Sequence, residues 1–268
     1  MVETLVFLLG LVIGSFLNVC IYRLPAGESV VSPPSHCRTC GVRLGPLDII
    51  PVISYLLSRG RCRHCGAAYP ARYALVELVT GALFVWCFFV FGLGPALVKA
   101  LVLVCFLVVI TFIDYDHQLI LDKVLVWFAG AGAAINLALN SYPQWAPLVG
   151  VPAPHIAPYL AVEKMLAGGL MGGGILLVVA LVTSGGMGGG DIKFTAALGL
   201  WFGWQQTLLL IFLSFLFGGV GSFSLLALGI KKRKDFIPFG PFIAAGALAT
   251  LLYGPRILLW YGQPWLIR

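Results

Sequence analysis

Charge is what this sequence has least of. Only 10% of its 268 residues are Asp, Glu, Lys or Arg, and just ten of those are acids, where an ordinary soluble domain is roughly 25% charged. So few charges cannot coat the surface of a 28.8 kDa chain in water, which excludes a soluble globular enzyme. Disorder is excluded from the other side, because the chain is 60% hydrophobic and 13% aromatic with mean hydropathy +1.00, and disordered segments cannot be so apolar. The four histidines form no HExxH and there is no Gly-x-Ser-x-Gly, so the common zinc-protease and serine-hydrolase motifs are missing. A secretory signal is not expected either. Glu3 stands where a basic n-region would be, and no small-residue cleavage site follows the run to Tyr22.

What the chain does have is long apolar runs. A span needs roughly 20 mostly apolar residues, and that ruler predicts eight, at about 4–22, 74–92, 96–113, 123–140, 165–184, 191–204, 206–229 and 238–260. The fold class expected is an all-α polytopic membrane protein. Its expected parts are a first transmembrane helix (1–22), a loop domain (23–73) and a seven-helix core (74–268). Seven of the 17 cations lie in 23–73, so the positive-inside rule puts that loop in the cytoplasm. Alternation then leaves thirteen cations inside and four outside (Lys99, Lys164, Arg256, Arg268). The net charge of +7 therefore reads as topology, with the lipid bilayer as partner and no nucleic acid. The run Lys231 to Lys234 suits anionic headgroups, and the apolar stretch Ile49 to Leu57 is a candidate for lying on the membrane surface. The loop 141–164, with five prolines, reads as an irregular connector. Ten glycines between Gly168 and Gly190 suit close helix packing.

Cys37-Arg-Thr-Cys40 and Cys62-Arg-His-Cys65 are two Cys-x-x-Cys pairs separated by 21 residues. Four thiolates so arranged suit one tetrahedral, structural Zn²⁺ with no open position for water. Two disulfides are the alternative, disfavoured by the reducing cytoplasm. His64 in place of one cysteine is a further variant. A ~50-residue loop with little apolar core needs such a staple to fold. Cys20, Cys87 and Cys105 sit in spans and read as small packing residues.

Asp114 follows the run Leu107 to Ile113, and Asp191 follows Gly188-Gly189-Gly190. Both fall at predicted inner helix ends, at the same depth. A carboxylate near hydrocarbon costs at least ~2.5 kcal/mol on insertion scales, so it is functional by default; a solvated acid at a helix end is the alternative. Asp116 and Asp122 read as solvated loop acids beside His117 and Gln118. Two close carboxylates sharing a proton can activate water and protonate a carbonyl, the chemistry of aspartic proteases. Glycines before Asp191 would let a peptide approach. A transporter or ion pathway with acids as a relay is the competing class.

Several motifs occur in an order that resembles the type IV prepilin peptidases, membrane aspartic proteases of the Gly-x-Gly-Asp class. They are Gly14 to Pro25 (GSFLNVCIYRLP), the paired Cys-x-x-Cys loop, Arg72 to Leu78, Phe112-Ile113-Asp114, Gly188 to Lys193, and Ile237 to Phe242. The resemblance implies Asp114 and Asp191 as the catalytic pair, cleaving the basic leader of prepilin or pseudopilin substrates after a glycine at the inner membrane of a bacterium. It also implies N-methylation of the new N-terminus with S-adenosylmethionine, for which Glu77 is a candidate cofactor-site residue; an interhelical hydrogen bond is the other reading of Glu77. Ile120-Leu121 stands where the family usually has Ile-Pro, and Ile49 where an asparagine is common.

The charge count makes one firm prediction. A reporter active only in the periplasm, fused at Gly41, should be silent, and activity there would overturn the layout.

Overall fold

The computed structural model describes residues 1–145, 160–184, 186–230, 232 and 237–260. Backbone polar groups in hydrocarbon must be satisfied within the segment, which leaves helices as the way to cross. The helices are α1 (Val2–Arg23), a short α2 (Ile53–Leu57), α3 (Arg72–Phe91), α4 (Pro95–His117), α5 (Asp122–Trp145), α6 (Val162–Val182), α7 (Gly189–Ala227) and α8 (Gly240–Trp260). Seven of them are long and apolar enough to span a membrane, and the chain is a multi-pass membrane protein. There is no β-strand among the described residues, only isolated bridges at His36–Arg43 and Arg61–Ala68. Most of the connector 141–164 and most of the Lys231 to Lys234 run lie outside the described residues.

Helix ends follow local chemistry. Pro95 opens α4, where its missing N–H costs nothing. Gln118 closes it in the left-handed conformation (φ 51°, ψ 41°), its N–H donating to Asp114 O at 2.8 Å. The helix thus outruns the predicted end at 113, and Asp114 and Asp116 both ride on its last turn. The expectation that Asp116 lies in a loop is corrected here.

Eight crossings were expected and seven long helices are found among the described residues. The difference lies in α7, whose 39 residues would reach ~58 Å if straight, nearly twice the ~30 Å hydrocarbon core. It is not straight. Gly203 has φ 73° and ψ 170°, a conformation essentially restricted to glycine. A Cβ added at Gly172 on α6 would lie 2.5 Å from Thr195 O and 3.2 Å from Thr207 Cγ2. Residues twelve apart in one straight helix would be ~18 Å apart, so reaching one glycine requires the chain to fold back at Gly203. The two legs are the expected sixth and seventh spans.

The reversal strands carbonyls that a continuous helix would bond internally. Asn136 Nδ2 on α5 donates to Leu200 O at 2.8 Å, and Lys99 Nζ on α4 donates to Asn136 Oδ1 at 2.7 Å. Lys99, expected as an outside charge, is therefore committed to this network. Thr207 Oγ1 donates to Gly203 O and Trp201 Nε1 to Phe128 O. Phe128 stacks on Trp201 with centroids 5.3 Å apart, fixing α5 against the first leg.

Glycine sets the closeness of α6 and α7. Any Cβ at Gly199 would collide with the Gly168 carbonyl, whereas one at Gly174 would meet nothing within 4 Å. Gly199→Val should lower stability in detergent by roughly 1–3 kcal/mol or more through overpacking, read as a fall in melting temperature. Gly174→Ala should leave it unchanged or raise it by up to about 1 kcal/mol from helix propensity; equal effects at both sites would refute this packing.

Candidate active site and metal centre

The last turn of α4 carries Asp114, which is buried. Its Oδ2 accepts a hydrogen bond from the Gly240 N–H, 3.0 Å away at the start of α8. A Cβ at Gly240 would stand 2.5 Å from that oxygen, so glycine is what allows the helix end to approach. Asp191 lies in the first turn of α7, half-buried, and its carboxyl is within electrostatic reach of Asp114. Ile120, buried in the α4–α5 turn, covers Gly190, where a Cβ would be 3.0 Å from Ile120 Cβ. The two sequence-predicted aspartates are therefore brought together from separate helices, at one end of the bundle.

The other two acids nearby are paired. Arg72 at the start of α3 forms an ion pair with Asp116 and lies over the Phe112 ring. Asp116 is thus not a free loop acid; its partner is 44 positions earlier in the chain. Asp122 accepts both contacts from Lys193 Nζ at 2.8 Å, and both side chains are largely exposed. Arg72 joins the carboxylate end of the bundle to the cysteine loop, since its neighbour Tyr73 accepts from Asn18 Nδ2 at 3.0 Å and from Arg38 at its hydroxyl.

In the loop, each Cys-x-x-Cys-Gly turn repeats one construction. Cys37 N–H bonds Val42 O and Cys62 N–H bonds Ala67 O, while Gly41 (φ 71°) and Gly66 (φ 73°) take the left-handed turn that L side chains resist. The four sulfurs of Cys37, Cys40, Cys62 and Cys65 all lie within 4.8 Å of one another. Cys37 Sγ and Cys65 Sγ are 3.8 Å apart, the edge of a tetrahedron with ~2.3 Å metal–sulfur bonds is ~3.8 Å, and all four cysteines are free thiols. The set fits a metal ion, and His64 is not part of it. Backbone N–H groups of Cys65 and His64 pull the Cys62 thiol down to about 6, and those of Cys40 and Thr39 lower Cys37.

Arg23, buried, folds the start of the loop by donating to Ser29 O and Pro33 O. Glu77, also buried, accepts the Val52 N–H at 2.8 Å, with Ser15 of α1 a second partner. Glu77 is therefore tied chiefly to the loop, a bond that the sequence did not suggest. A cavity of about 500 Å³ lies not at the aspartates but between the cysteine loop, α1 and α3, lined among others by Ser15, Asn18, Tyr22, Tyr55 and Glu77. A smaller one of about 120 Å³ shares Asn18, Tyr22 and Tyr73 with it and reaches Asp116 and His117.

One metal per chain should be found by elemental analysis, and its affinity should fall as pH drops, because protons compete for the thiolates. Cys40→Ser should release it and expose 23–73 to protease; a stoichiometric disulfide in fresh protein would rule the site out.

Known proteins are similar to this chain in both halves. Residues 8–91 match the bacterial peptidase A24 N-terminal domain and 101–223 the type IV leader peptidase family. Proteins named prepilin leader peptidase/N-methyltransferase are similar over nearly the whole length. The one from Aeromonas salmonicida is 34% identical over 96% of this chain and 93% of its own. Those from Bacillus subtilis and Pseudomonas aeruginosa are 31% and 33% identical, each over 96% of this chain and over 97% and 92% of their own. No solved structure matches significantly. Matched by family models in both halves and by relatives over nearly its whole length, this multi-pass helical chain belongs to the type IV leader peptidase family.

Proposed function

We propose that this chain is a membrane aspartic endopeptidase that removes the basic leader of type IV prepilin or pseudopilin substrates after a glycine, at the cytoplasmic face of the bacterial inner membrane. The observation that carries the reading is the convergence of Asp114 and Asp191 from α4 and α7 at the end of the bundle that holds the cysteine loop. The ionised carboxylate takes a proton from water as its oxygen attacks the scissile carbonyl carbon, and the protonated one gives its proton to the carbonyl oxygen. Collapse of the tetrahedral species breaks the C–N bond, and the departing nitrogen takes up a proton. Gly189, where a Cβ would meet nothing within 4 Å, offers the peptide an open stretch of backbone beside Asp191. The family assignment gives no support to the transporter reading.

The names of the relatives add N-methylation of the new N-terminus. The 500 Å³ cavity has the size of sites for nucleoside-bearing ligands. S-adenosylmethionine, when bound, supplies an electrophilic methyl group. Glu77 offers a carboxylate that can hold the incoming ammonium and accept its proton, with Asn18 and Tyr55 lining the same space. Zn²⁺ is the ion proposed for the four cysteines, in a purely structural role.

The test uses purified protein in detergent with a peptide carrying a basic leader, Gly, Phe and an apolar stretch. Asp114→Asn and Asp191→Asn should each lower cleavage by roughly 10²-fold or more while methylation of a peptide already beginning with Phe persists. Glu77→Gln, which keeps an acceptor for Val52, should do the reverse, and Glu163→Gln on the exposed first turn of α6 should change neither. Cleavage by both aspartate variants at the native rate would end the proposal.

A further inference from the structure

The segment 47–57 is amphipathic the wrong way round for a protein in water. On α2, Ser54 and Tyr55, with Ser58 just after, line the 500 Å³ cavity, while Ile53, Leu56 and Leu57, spaced one helical turn apart, face away from the protein. Leu56 and Leu57 are 67% and 72% exposed, and Leu47, shortly before α2, is 63% exposed. An apolar face turned outward on a cytoplasmic loop requires a cover.

The depth at which the segment is held says what the cover is. Val52, a β-branched residue, sits at φ 62°, ψ −48°, with Ile53 N–H bonding Pro51 O at 2.6 Å. This is a γ-turn of the rare positive-φ kind. Its Val52 N–H is fastened to Glu77, in the second turn of the membrane-spanning α3, ~7.5 Å along that helix. The apolar side of α2 is thus continuous in level with Leu75 and Leu78, which α3 turns outward on either side of Glu77. Immediately after α2 come Arg59 and, at the rim of the cavity it lines, Arg61, both exposed and in no ion pair among the described residues.

We propose that α2 is an interfacial anchor: Ile53, Leu56 and Leu57 enter the acyl region of the lipid leaflet, and Arg59 and Arg61 meet anionic phosphate headgroups, so that the cavity behind α2 opens at the membrane surface. Residues of this pattern, apolar on one side and basic at the margin, partition to the headgroup–acyl boundary, and cations there favour anionic lipid. The anchor stands on geometry alone. Its use in presenting the cavity to a membrane-bound peptide rests on the methyl-transfer reading above.

The photoreactive residue p-benzoylphenylalanine, incorporated at position 57 of the full chain in vesicles of phosphatidylethanolamine and phosphatidylglycerol, tests this by mass spectrometry of the adducts. Position 57 should yield phospholipid adducts, and position 55, facing the cavity, adducts within the same chain. The phosphatidylglycerol share of the adducts at 57 should exceed its share of the bilayer, and Arg59→Glu should bring it down to the bulk share. Adducts at 57 to a second copy of the chain or to peptide substrate, or no adducts at all, would overturn the anchor; lipid adducts without phosphatidylglycerol enrichment would overturn its headgroup half. Failure of either would leave the cleavage and methylation assays unaffected, so the two proposals fall separately.

Discussion

A helix in hydrocarbon cannot leave its carbonyls open, and α7 departs from that rule at Gly203. Much of the bundle depends on how the break is satisfied. Asn136 supplies the hydrogen bond that the helix gives up, Lys99 holds Asn136, and Trp201 is pinned to Phe128, so three helices, α4, α5 and α7, meet beside one glycine. Because the chain turns back there, the first leg of α7 crosses alone and presents Asp191 at the end where α4 delivers Asp114. Glycines 168, 172 and 199 let α6 lie close enough to touch both legs. The carboxylates are thus positioned by backbone contact over distance, with few polar side chains in the packed region.

The loop between α1 and α3 is organised by a different economy. It has little apolar core, and its order comes from four sulfurs, two left-handed glycines, the Arg23 guanidinium and one hydrogen bond to Glu77. Each is a single directional bond set, and together they hold a cavity of about 500 Å³ between the loop, α1 and α3. Arg72 links the two systems: its ion pair with Asp116 lies two residues from Asp114, and the next residue, Tyr73, is bound by Asn18 and Arg38.

How much of this was legible follows from the range of each signal. The all-helical membrane class, the cysteine quartet and the placing of both aspartates at helix ends rest on local runs and spacings, and they were readable. The reversal was readable too, as two short apolar spans meeting near Gly203, although it leaves a single helix by hydrogen bonding. Asp116 was misread because its partner, Arg72, is remote in sequence and the α4 end was set at Ile113, short of its observed end at His117. Glu77 was singled out as polar in a span, yet its acceptor role toward Val52 needed the fold of the loop. Gly240 stood within a quoted motif with no role attached; a glycine followed by proline at a helix start was the available sign that something packs against that end.

The contact between Gly240 and Asp114 joins residues 126 positions apart, and this has a consequence in time. A chain emerging from the ribosome carries Asp114, then Asp191, into the membrane well before α8 exists. Until that last helix arrives, the buried oxygen of Asp114 lacks its N–H partner, and the carboxylate has no fixed orientation against its mate. That end of the bundle is therefore completed only when α8 is inserted, and a half-made chain carries both acids without the Gly240 contact that fixes one of them.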